Sequence, residues 1–279
     1  PFVFLASIGM WVNTDVLEAT GATMPEEWTT WEAFADAMET VRVNGEAMGY
    51  YSYGSGQGSI RMFNAALAAT PAGAEMLKGP LTADAINSEE FADAFRTVAT
   101  LDQQNGSANS SVNANDFAAD FNNGLSAVFI NGVWGASQFA GSDNFVSCIY
   151  PNSVAISSAN TGLYVANDLS DAQKELALEF IKYMTSEEIA NKIIAFGIGM
   201  APNTNVDYAT LMDSVDAPEA KLLVSACQLC MAADYQALGL GNEFGDFEGE
   251  IQAKYAGLKD GSKTVDDVVS ELDAVIAAN

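Results

Sequence analysis

From residue 170 to its end the sequence is nearly continuous amphipathic helix, and the strand-like runs before it are few and scattered. A helix with one apolar stripe must bury that stripe against another layer, so this imbalance decides which folds are open to the chain. "SDAQKELALEFIKYMTS" places Ser170 and Gln173 at capping-box spacing. It runs nearly into "SEEIANKIIAFG", which stops at Gly197 with Pro202 beyond. Further helices are expected over about 216–233, 244–258 and 264–277. In the second of these, Phe244, Phe247, Ile251, Tyr255 and Leu258 trace one stripe. Burying a Leu, Ile or Phe contributes roughly 1.5–3 kcal/mol. Phe244, Phe247, Ile251, Leu272 and Ile276 together therefore represent on the order of 10 kcal/mol, comparable to the net stability of a domain. They call for a sheet that the strand candidates do not supply.

Those candidates lie in the first 170 residues. "FVFLASIGMWVN" reads as a strand that turns at Gly9. "TTWEAFADAMETVR" is a helix: Trp31, Phe34, Met38 and Val41 share a face, and Thr29 and Glu32 have capping-box spacing. "MGYYSYGSGQGS" is a short aromatic strand ending in a Gly/Ser loop that holds Tyr53, Ser55 and Gln57, with a helix from about Ile60. "SEEFADAFRTVATLDQQN" sets Phe91, Phe95 and Val98 on one side of another helix. A polar linker, "NGSANSSVNAN", and a short helix, "DFAADFNNG", lead into "FNNGLSAVFINGVW". There an apolar run, Leu125 to Ile130, reads as a buried strand with helices on both faces. It ends at Asn131-Gly132, and Trp134 follows almost at once. "NFVSCIYP" and "GLYVAND" are two further strand candidates.

The composition excludes several functions. With 279 residues the chain has room for about two domains. No window approaches the roughly 18–20 apolar residues of a membrane span. Lys and Arg number 11 against 37 Asp and Glu, a formal charge of −26. Such a chain repels phosphate backbones, so nucleic acid is not an expected partner; neutral ligands and cations suit it better. There is no His, which removes the commonest general base and metal ligand and any Ser-His-Asp or Cys-His pair. Cys227 and Cys230 share a helix face with Leu223, and Cys148 sits in a strand; all three read as inert core thiols. The acidic clusters "NANDFAAD" and "NEFGDFEGE" do not match a twelve-residue calcium loop and read as caps and solvated faces. Neither a metal nor a cofactor is expected. The opening "PFVFLASIG" has no Met and no basic leader.

Four motifs in order resemble a known family. "MWVNTDVLEATGATMPEEWTTWEAF", "DFAADFNNGLSAVFINGVWGASQF", "SDAQKELALEFIKYMTSEEIANKIIAFGIGMAPNTNV" and "GLKDGSKTVDDVVSELDAVI" resemble successive segments of bacterial extracellular solute-binding proteins, in the sugar-binding, maltose-binding-protein-like group. The second carries that group's F-x-x-G-x-x-A-M-x-x-x-G-x-W pattern almost intact. The resemblance covers nearly the whole chain. It implies an α/β, periplasmic-binding-protein type II-like two-lobed fold whose amino-terminal lobe is incomplete in this chain. The absent part is about 100 residues, the size of a small domain. It would be cleaved, omitted or supplied as a separate chain. Residues 1–156 would then form the carboxyl-terminal lobe, and 157–279 a mostly helical return segment belonging to the amino-terminal lobe.

The implied function is that of the substrate-binding component of an ABC transporter. It would hold a neutral carbohydrate, an oligosaccharide or polyol, in the interlobe cleft by hinge closure and dock on permease subunits. No catalysis is implied, and the location would be extracytoplasmic, in a periplasm or lipid-anchored at the cell surface. The implied ligand residues are Trp134 with Asn131 beside it and Trp11; Tyr53, Ser55 and Gln57, by their place in the Gly/Ser loop after a strand, would hydrogen-bond sugar hydroxyls. An aromatic face suits the apolar C–H face of a pyranose. Read without the resemblance, Trp134 is rather a core plug with its N–H satisfied, and Trp11 either faces the hinge and ligand or packs. Two other functions are compatible with the residues: a carbohydrate-active enzyme using a carboxylate pair, and a surface adhesin or chemoreceptor ligand-binding protein on the same fold.

Overall fold

The computed structural model describes residues 2–52, 57–79, 81–105, 114–139, 143–238 and 247–278. The sheet is built around one long strand, β1 (Phe2–Asn13), which runs through Gly9 without the turn expected there. After it come α1 (Thr14–Thr20), α2 (Trp31–Asn44), β2 (Met48–Ser52), α3 (Gln57–Ala68), α4 (Pro71–Met76), α5 (Ala83–Ile86), α6 (Glu89–Asn105) and α7 (Ala114–Asn122). The middle of the chain supplies β3 (Ser126–Gly132), β4 (Phe145–Cys148) and β5 (Val154–Gly162). The remainder is α8 (Asp171–Met184), α9 (Glu187–Ala195), α10 (Tyr208–Ser214), α11 (Pro218–Ala232), β6 (Tyr235–Leu238), α12 (Phe247–Lys259) and α13 (Val265–Ala278).

The sheet order is β2-β3-β1-β5-β6, with β4 also on β1. One edge of β1 pairs antiparallel with β3, from Ile8↔Gly132 to Val12↔Val128. Its other edge is shared in succession: Phe2 to Ile8 pair with β5, and Met10 to Asn13 with β4. β2 runs parallel to β3 and β6 parallel to β5. All strands except β1 therefore point the same way.

Side chains alternate across the pleat, and each face has its own core. On one face Val12, Val128 and Ile130 meet Phe34, Phe63, Phe91 and Phe95 from α2, α3 and α6. Phe63 stacks on Phe95 at 4.3 Å between ring centroids and meets Phe91 edge-on at 5.1 Å. On the other face Trp11 and Phe129 meet Phe121, Phe139 and Phe145, together with Ile193, Ile194, Leu223, Val224 and Cys227 from α9 and α11. Every residue of β3 is buried between these layers, as expected of a strand with helices on both faces.

The sheet is larger than the sequence indicated. β5 begins on Val154 but continues through Ser157, Ser158, Asn160 and Thr161, too polar to read as a strand; its partner β1 supplies the apolar side of the pair. The expected strand "GLYVAND" is instead the end of β5 and an irregular exit. β6, only four residues long, directly follows a helix in a region expected to be wholly helical.

The late helices also divide. α11 covers the second face of the sheet. α12 and α13 lie on α3, α5 and α6, so Ile251, Tyr255, Leu258 and Leu272 are buried and Ile276 is half-buried against helices of the first 105 residues rather than against strands. Phe244 lies outside the described residues, and Phe247 is described by its backbone alone. α8 does not share in it: Leu176, Phe180 and Tyr183, one stripe at i, i+4, i+7, stay exposed, as do Phe196 and Ile198 beyond α9.

One polar cluster locks α12 to the sheet. Asp102 of α6 is fully buried and accepts hydrogen bonds from Tyr50 Oη at 2.5 Å, Ser59 Oγ at 2.7 Å and Tyr255 Oη at 2.7 Å. Burial, and then the Asp102 charge, push the Tyr50 and Tyr255 phenols well above their ordinary range, which keeps both as donors. One turn on, Asn105 accepts from the Tyr50 amide at 3.2 Å and donates to its carbonyl at 2.7 Å. This side chain stands where a further strand would pair with the β2 edge. Because a hydrogen bond to a charged group contributes about 1.5–3 kcal/mol, Tyr255→Phe should destabilise the chain by about that amount in urea unfolding. An unchanged midpoint would mean that α12 is not held through Asp102.

Candidate functional site

The strand directions define one end of the sheet. Ser52 of β2 lies beside Ile130, Gly132 beside Ile8, Ile8 beside Ile156, and Ser157 beside Leu238. The carboxyl ends of β2, β3 and β6 fall on this line. In open α/β sheets the crevice outside such strand ends is the preferred place for a ligand. Past the line β1 and β5 continue together as a ribbon toward Phe2 and Gly162, with Met200 bridged to Leu5 on the opposite edge.

Gly132 is the centre of this end, and three neighbours hold it. Its amide donates to Asn131 Oδ1 at 2.8 Å, and its carbonyl accepts from Trp11 Nε1 at 3.0 Å. Its open Cα face is covered by the Trp134 indole, so close that a Cβ at 132 would stand 2.2 Å from ring carbons. The backbone at Gly132 is extended, φ −79° and ψ 170°, so the glycine serves approach and not a left-handed turn. After it the chain tightens into a 3₁₀ segment, Val133–Gln138, whose Val133 and Ala136 are buried. That winding leaves Trp134 pointing outward, 38% exposed, while Trp11 is 2% exposed.

The six expected ligand residues therefore separate. Trp134 presents an indole face to solvent at the strand ends. Asn131, the next residue back along β3, is buried, with Oδ1 committed to the Gly132 amide. Trp11 packs on Phe139 at 5.3 Å with its N–H satisfied, which is the packing alternative. Its ring sits there because Gly135 has no side chain; a Cβ at 135 would lie 2.8 Å from Trp11 Nε1. Tyr53 and Ser55 lie outside the described residues, and Gln57 is described only as the first residue of α3.

Two serines that the sequence did not single out join this line. Ser7 and Ser157 face each other across β1 and β5 with their Oγ atoms 2.7 Å apart, and Ser7 is fully buried. They were not legible because β5 was not. Trp134, Asn131, Gly132, Ser7 and Ser157 are all uncharged. Among the described residues no group of acidic, Cys or His side chains is placed to hold a metal ion. The three cysteines are unbridged. Burial pushes the Cys148 and Cys230 thiols up to about 12, and Cys227 higher still.

The geometry predicts that Gly132→Ala forces the Trp134 ring off its seat. A methyl that the neighbouring ring cannot accommodate costs about 1–3 kcal/mol. The loss should fall well below that value in a Trp134→Ala background, measured by a double-mutant cycle. Additive losses would show that the two residues do not bear on each other.

Comparison with known proteins places this arrangement. Residues 2–221 match the family described as bacterial extracellular solute-binding protein. A Streptococcus pneumoniae solute-binding protein solved in complex with the blood group A-trisaccharide is 33% identical; the match covers 100% of this chain and 71% of that one, with a TM-score of 0.87. A chitin oligosaccharide binding protein is 15% identical over 99% of this chain and 70% of its own, with a TM-score of 0.77. Maltose-bound MalE3 of T. maritima is 16% identical over 99% and 71%, with a TM-score of 0.71. These last two speak for the fold alone. No curated protein matches the chain.

Proposed function

The chain belongs to the bacterial extracellular solute-binding protein family, and we propose that it is the substrate-binding component of an ATP-driven importer that takes a neutral oligosaccharide or polyol. The observation that carries the reading is Trp134: an indole 38% exposed, held on glycine at the carboxyl ends of the strands. A rigid ring gives large contact area at little entropic cost and matches the apolar face of a sugar. The S. pneumoniae relative was solved with a trisaccharide, which agrees with this ligand class. The family's extracellular character puts the protein outside the cytoplasm, and its members work with membrane permeases.

The mechanism in this reading is closure of two lobes around the sugar, with no covalent step. The β1–β5 ribbon is the natural crossover, since both strands run on past the end of β3. Leu176, Phe180, Tyr183, Phe196 and Ile198 are exposed apolar side chains that the rest of the first lobe would cover in this reading. Docking on permease subunits would follow closure.

The test is a titration of the purified chain with neutral oligosaccharides, beginning with the blood group A-trisaccharide, followed by calorimetry. Saturable binding without turnover is expected. Trp134→Ala should weaken it by about 1–3 kcal/mol, the loss typical of an aromatic anchor, while the unfolding midpoint stays put. Glycoside cleavage, or binding indifferent to Trp134, would contradict the proposal.

A further inference from the structure

At the opposite end of the sheet lies a groove of about 630 Å³ lined by Thr14, Glu18, Pro25, Glu26, Leu229 and the run Val146 to Ile149. Successive residues of a strand point to opposite faces, so a groove lined by four in a row runs along the strand's edge. β4 and β5 follow one another on the same side of β1, but β6 covers only β5, beginning at Tyr235 opposite Val154. Among the described residues the outer edge of β4 is thus left without a strand.

The direction of its free groups follows from the ladder. The Thr14 amide donates to the Asn144 carbonyl at 2.9 Å. In an antiparallel pair hydrogen-bonded positions alternate, so Val146 opposite Val12 and Cys148 opposite Met10 also turn their backbone groups toward β1. Ser147, between them, turns its N–H and C=O outward into the groove. Among the described residues nothing hydrogen-bonds either group. The walls come from both layers, Leu229 of α11 on one side and Pro25 with α1 on the other. Glu18 and Glu26 stand in the lining, and no Lys or Arg does.

From this geometry we infer a second binding site, independent of the sugar site: the β4 edge takes an extended, cationic peptide segment of another protein, which adds as a strand in line with β6. Backbone pairing to Ser147 supplies the ladder, the apolar walls take alternate side chains, and Glu18 and Glu26 select basic residues. A second copy of this chain fits less well, because it would bring the same two glutamates and a charge of −26 to the contact.

The probe is an acetylated, amidated pentapeptide of alternating Lys and Val, titrated into the full chain and followed by amide NMR. Saturable one-to-one binding that moves the Ser147 amide is expected. Methylating the peptide nitrogens that face β4 should abolish it, and Glu18→Gln with Glu26→Gln should weaken it about tenfold, some 1.4 kcal/mol, while oligosaccharide binding is unchanged. Equal binding of the methylated peptide would overturn the inference, because the edge would not be pairing. So would no saturable binding, shifts confined to the Trp134 end, or concentration-dependent dimerisation through β4.

Discussion

The contact between the Trp134 ring and the bare Cα of Gly132 sets the rest of the candidate site. Because no side chain intervenes, the indole lies flat on the end of β3. The same glycine gives its amide to Asn131 and its carbonyl to Trp11. One residue therefore links the exposed ring, a buried amide and the aromatic core of Phe121, Phe129, Phe139 and Phe145. Two tryptophans that both meet Gly132 take opposite roles, one enclosed with its N–H satisfied and one presenting a face. Glycine at 132 and 135 makes room for both.

β1 does for the fold what Gly132 does for the site. Its twelve residues pair with three strands, so the two lateral parts of the sheet have no direct ladder except through it. Its inner half is sandwiched between two cores. Its outer half runs with β5 away from them, followed by the helices whose apolar faces remain exposed. The same chain thus has one body with strands covered on both sides, while Leu176, Phe180, Tyr183, Phe196 and Ile198 keep large apolar side chains in water.

Much of this was legible in the sequence, and what was not has a physical reason. β3 and the helices α2, α6, α8 and α9 carry clean periodicity and fold where they read, although the cap of α2 is Thr30, which accepts from the Ala33 amide, and not Thr29. β5 was hidden because its outer half is Ser, Asn and Thr, held by pairing with β1 rather than by its own hydrophobicity. β6 was hidden by its four-residue length. The stripe on α12 was seen, but a stripe does not say what it covers; here it meets other helices and the Asp102 cluster. That Trp134 would be the outward indole and Trp11 the inward one depends on the 3₁₀ winding after Gly132, which no periodicity announces.

The account rests on Trp134 being the surface that a sugar covers, and the four tryptophans allow a direct reading of that. Trp11, Trp28 and Trp31 are buried, while Trp134 is not. Hydroxyl-radical footprinting read by mass spectrometry should oxidise Trp134 well above the other three in the free protein. Saturating neutral oligosaccharide should suppress that oxidation selectively. Oxidation of Trp134 that is indifferent to every bound oligosaccharide would contradict the assignment of this end of the sheet as the binding site.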